Sequence, residues 1–141
     1  MEPARDKSLF FKIRSALAQL DESPELGLGV SEAELRGAFP RLREAAEEYH
    51  QERLLIDAVA HYAVLVRVAE VLGEPEWRAR MLHGYGIVNL DLKDYKECVA
   101  ALRGALEVAQ EEGLQEVAEA VMVDLEAARR HWSRYRESLE P

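Results

Sequence analysis

The chain has 141 residues, 48% of them hydrophobic and 32% charged. That balance fits one globular domain able to bury a core without metal or disulfide, and it excludes a disordered chain. The formal net charge of −9 sets the chain against phosphate backbones and anionic lipid, so neither nucleic acid nor membrane is the expected partner.

Leu9, Phe10, Ile13, Leu17 and Leu20 recur at helical spacing and predict an amphipathic helix from Asp6 to Leu20. Residues 1–20 mix charges among the apolar positions, unlike a signal peptide, and no apolar run is long enough to span a bilayer. With Cys98 as the lone cysteine, no intramolecular disulfide can form, and the expected location is cytoplasmic. Pro24, Gly27 and Gly29 mark a loop from Asp21 to Val30. Ser31 followed by Glu34 reads as a capping box that starts a second helix. Pro40 is expected to end that helix and to start or kink the next, which runs from Arg41 to Gln51. Further helices are predicted over Leu54–Leu72, closed by Gly73, and from Pro75 to Leu90. Asp94 caps one that ends at Gly113, and a last one runs from Gln115 to Ser138. No segment alternates with period two, so strands are not expected.

An internal repeat underlies this series. The segments starting at Ala58 and at Cys98 align with an offset of forty residues. Val59 and Val99, Ala60 and Ala100, Val68 and Val108, Ala69 and Ala109, Gly73 and Gly113, and Glu76 and Glu116 are identical pairs. Leu42, Leu82 and Met122 extend the register to the flanking helices.

The second copy resembles a tetratricopeptide repeat in a long, forty-residue form. Gly86 after Tyr85 stands at the small position of the first helix, Asp94-Tyr95 at the turn, Cys98 where a small residue belongs, and Ala105-Leu106 at the small-then-large pair. Asn89, Lys93 and Gln110 depart from the pattern, and the first copy is poorer, with Ala45-Ala46 and Leu54-Leu55 at the corresponding places. The resemblance implies an all-α fold of antiparallel helix-turn-helix repeats, a superhelix with an N-terminal helix and a C-terminal capping helix. As a single domain it divides into an N-terminal extension (1–36), a degenerate repeat (37–74), a second repeat (75–114) and a capping or dimerisation helix (115–141).

The resemblance also implies a partner-binding groove lined by the first helix of each pair. Carried over, its positions are Arg43, Glu47 and His50; then Arg80, His83, Ile87 and Leu90; then Val123, Ala127 and Arg130. Ile87 stands where a carboxylate clamp needs asparagine, so the expected ligand is an amphipathic segment with some acidic character. The residue pattern itself supplies no reaction chemistry. His50, His61, His83 and His131 form no H-x-x-x-H or H-E-x-x-H pair, His61 lies beside the apolar face of the repeat, and no glycine-rich phosphate loop occurs. Cys98 is expected to be buried and inert. No catalytic residue, metal or cofactor is therefore expected.

The last helix carries an apolar stripe of Val121, Leu125, Ala128, Trp132, Tyr135 and Leu139. The stripe is expected to pack on the preceding helix pair, and its surplus, with Leu125, Trp132, Tyr135 and Leu139, to serve a homodimer; the N-terminal helix folding back over it is the alternative. The reading is a non-catalytic protein-interaction module: an adaptor, chaperone-like protein or regulatory subunit. Two alternatives stand beside it. One is a nucleic-acid-associated regulator using the basic, aromatic segment Arg129–Arg136. The other is an enzyme with a site built from Arg43, Glu47, His50 and His83.

Overall fold

The computed structural model describes residues 7–140; Asp6, the expected start of the first helix, lies outside them. The described residues form α1 (Lys7–Glu22), α2 (Glu32–Gln51), α3 (Leu55–Leu72), α4 (Pro75–Asp91), α5 (Tyr95–Glu111) and α6 (Gln115–Ser138), with one 3-10 turn at Pro24–Leu26. The fold is all-α. Among the described residues, no helix is long and apolar enough to cross a membrane. Two compact units divide the chain, Met1–Glu74 and Pro75–Pro141.

In the first unit α2 and α3 pair as an antiparallel hairpin, and α1 packs on both. Ser31 starts α2 as the sequence predicts: its hydroxyl accepts from Glu34 N–H at 3.1 Å, and the Glu34 carboxylate accepts from Ser31 N–H at 3.4 Å. Lys12 of α1 reaches the same carboxylate at 2.9 Å. That bond, with the Ser31 N–H bond, lowers the Glu34 pKa.

Pro40 does not end a helix. The chain runs unbroken from Glu32 to Gln51 with Pro40 inside it, so the expected break at this position is corrected, and the boundary at 36/37 falls within α2. A proline in a helix interior forfeits one backbone bond and crowds the preceding turn, at a cost of ~3 kcal/mol. Here its neighbours outweigh that cost, because Leu35, Ala38, Phe39 and Leu42 are all essentially buried on the face turned to the core.

In the second unit α4, α5 and α6 form a sequential antiparallel set, with α4 also touching α6. Cys98, Val99, Leu102, Ala105, Val108, Val117, Val121 and Leu125 make a continuous core. Gly86 is the point of closest approach between α4 and α5. A Cβ built there would lie 2.7 Å from Leu102 Cδ2 and 2.9 Å from its Cγ, which is the physical reason a small residue stands at that place.

Four turns close their helices in the same way. Arg53, Gly73, Lys93 and Gly113 have φ of 62°, 67°, 62° and 68°, spaced twenty residues apart. Each is followed by an N–H that donates to the carbonyl five residues back. These bonds are Leu54 to Tyr49 at 2.8 Å, Glu74 to Ala69 at 3.0 Å, Asp94 to Asn89 at 2.9 Å and Leu114 to Ala109 at 2.8 Å. This is Schellman closure. The forty-residue repeat thus rests on a twenty-residue backbone period, hidden in the sequence because Arg and Lys alternate with Gly at the left-handed position. Lys93, a departure from the family pattern, adopts the conformation that a glycine takes freely. Lys93→Gly, at this exposed site, is expected to raise stability by ~0.5–1 kcal/mol in urea unfolding.

Candidate functional site

The residues carried over as a groove divide between the two units. In the first, Arg43 and Glu47 lie on exposed turns of α2, 3.9 Å apart as an i,i+4 pair, and His50 is half-buried near the end of that helix. An exposed pair of this kind contributes little to stability.

In the second unit the candidates lie on α4 and α6. Because α4 and α6 both run antiparallel to α5, they run parallel to each other, and they touch. Arg80, His83, Ile87 and Leu90 step along α4 by three, four and three; Val123, Ala127 and Arg130 step along α6 by four and three. A single bond ties the two rows together: His83 Nε2 lies 2.6 Å from Asp124 Oδ2. Ile87 and Ala127 are half-buried beyond that bridge, Val123 is 66% exposed, and Leu90 spends part of its surface on the core beneath.

At the N-terminal end of both helices, Glu76, Arg80, Leu114, Gln115, Glu116 and Val117 line a shallow, open dent of about 160 Å³. Arg80 Nε is held there by Glu76 at 3.3 Å. Toward the C-terminal end of α6, Arg130, His131 and Arg134 are exposed.

Asp124 escaped the sequence reading. Nothing in its own neighbourhood distinguishes it from a solvated carboxylate. The signal that could have found it is the repeat itself: a period of forty places α6 residues 123 and 124 beside His83.

The last helix uses its apolar stripe unevenly. Val121, Leu125 and Ala128 are buried in the second unit, Trp132 packs against that core, and Tyr135 and Leu139 are 45% and 66% exposed. Of the four residues expected at a dimer contact, Leu125 is thus spent inside its own unit. Helix α6 has 24 residues against 17 in α5. The aromatic rings of the basic segment have partners within the unit. Arg136 lies 4.8 Å over Trp132, and Tyr135 packs on Tyr95 with ring centroids 5.2 Å apart.

His61 and Cys98 are both buried. The Cys98 thiol is pushed up to about 11, first by burial and then by the carboxylates of Asp124, Asp94 and Asp91. His61 packs between Phe10 and Tyr49. Comparison of the chain with protein-family models, with curated proteins and with solved structures finds no match.

Proposed function

We propose that the protein is a non-catalytic interaction module of tetratricopeptide-like build that holds a partner segment on the α4–α6 face of its second unit. The observation that carries this reading is the His83–Asp124 bond, which joins the parallel helices α4 and α6. Half-buried Ile87 and Ala127 and the exposed Val123 supply apolar surface on the same two helices. Apolar side chains beside an exposed arginine suit recognition of an amphipathic segment with some acidic character. Its apolar residues would lie on Ile87 and Val123, with acidic residues toward Arg130.

The reading assigns the site binding chemistry. His83 and Asp124 form an orienting pair, but the thiol of Cys98 is buried beneath the surface and held protonated. Affinity capture from native lysate, comparing wild type with Ile87→Glu, tests the reading. A partner retained by wild type is expected to be lost from the variant, with circular dichroism unchanged. Equal capture by both proteins, or no enriched partner on wild type, would refute it.

A further inference from the structure

His61 sits where three helices meet. Its ring stacks on Phe10 of α1, with centroids 4.2 Å apart and planes 13° from parallel, and meets the edge of Tyr49 of α2 at 5.1 Å. Its Nδ1 lies 2.8 Å from the carbonyl oxygen of Asp57, one turn earlier on α3. A carbonyl can only accept, so Nδ1 carries the proton of the neutral ring. The side chain is 3% exposed, and α1 is the element that covers it.

The charges around the ring do not suit an imidazolium. From α1, Lys7 Nζ lies 5.8 Å from the Tyr49 ring centroid, and Arg14 lies 5.3 Å from that of Phe10. From α2, Tyr49 presents a ring edge. From α3, Asp57 brings a carboxylate, already bonded to Lys7 at 2.8 Å. A protonated His61 would stand between aromatic rings beside the Lys7 ammonium, with the Asp57 carboxylate already paired.

The attachment of α1 is also the weaker one in this unit. It rests on four buried side chains, Phe10, Ile13, Ala16 and Leu17, whereas α2 and α3 each bury seven. Its flanking bonds, Lys7–Asp57, Lys12–Glu34 and Arg67–Asp21, are exposed or nearly so. An element at the edge of a unit, with few buried contacts, opens before the body it packs on.

We propose that α1 is an acid-released strap: protonation of His61 detaches it from α2 and α3, which stay paired with each other. Burial holds the imidazole below the ordinary histidine value of 6.5, with Lys7 adding to the effect and Asp57 opposing it. The detached state therefore binds the proton more readily. Attachment is complete above pH 6.5 and weakens as pH falls below it toward the lowered native value. Release uncovers Phe10, Ile13, Leu17 and Tyr49, an apolar and aromatic surface that the neutral protein keeps covered.

Amide hydrogen exchange of the whole chain between pH 7.5 and 5.5, each rate divided by its intrinsic rate at that pH, tests the proposal. Protection across α1 is expected to fall, by no more than about tenfold per pH unit for a single proton, while α2 and α3 keep theirs. His61→Phe, which fills the same space without a titrating nitrogen, is expected to make α1 protection independent of pH. A parallel NMR titration of wild type should show the His61 imidazole titrating below 6.5. Four results would overturn the proposal: pH-independent protection of α1 in wild type, simultaneous loss across α1, α2 and α3, an unshifted His61 titration, or the same pH response in His61→Phe.

Discussion

Replacing Gly86 by valine is expected to lower the free energy of unfolding by about 2–3 kcal/mol, read from urea denaturation. Any side chain at this position begins with a Cβ 2.7 Å from Leu102 Cδ2, and 3.4 Å from the backbone oxygen of Cys98. Leu102 is fully buried, so it cannot swing into solvent, and α4 must separate from α5. Separation loosens the packing around Cys98 and Ala105 on the same helix face. Gly104 provides the control. It lies in α5, and a Cβ there meets only Leu82 Cδ1 at an ordinary 3.6 Å. Gly104→Ala should therefore show the intrinsic helical gain of ~0.5–1 kcal/mol with no clash. Equal and small effects at both sites would show that the close approach at Gly86 is not what fixes the α4–α5 pair.

Cys98 is expected to resist thiol reagents in the native protein. At pH 8 its modification should be at least ~100-fold slower than in the urea-unfolded chain. The value of about 11 lies two units above the ordinary 9.0, which by itself lowers the reactive thiolate about a hundredfold. Full burial adds the requirement that the core open before reagent can reach the sulfur. Native labelling within tenfold of the unfolded rate would contradict both the burial and the nearby carboxylates.

These two expectations concern residues that the sequence had already singled out. Gly86 and Cys98 were marked by their register in the repeat, and a repeat is legible because its small positions recur wherever two helices must approach. The helix ends were legible for a related reason. Ser31 with Glu34, Gly73 and Asp94 act within one turn of the chain, so their capping chemistry depends on near neighbours alone. The α4–α6 face was legible residue by residue, because helical spacing places 80, 83, 87 and 90 on one side. Its bridge was not. His83 and Asp124 are 41 residues apart, and neither reveals the other until two helices lie side by side.

Local chemistry by itself determined most helix bounds, the Ser31, Gly73 and Asp94 caps and the register of the repeat, since periodicity and capping are short-range effects. Only the tertiary structure decided the remaining points. Pro40 stays inside α2 because buried neighbours outweigh one missing hydrogen bond. Arg53 and Lys93 take left-handed conformations because each turn must close at the same place as those of Gly73 and Gly113. The stripe on α6 is buried at Leu125, within the core of the second unit, and exposed at Leu139, beyond the contact of Tyr135 with Tyr95 at the start of α5. The place of α1, against α2 and α3, likewise follows from long-range packing. In every such case a cost read from one segment is offset by contacts from another, and those contacts exist only once the chain has folded.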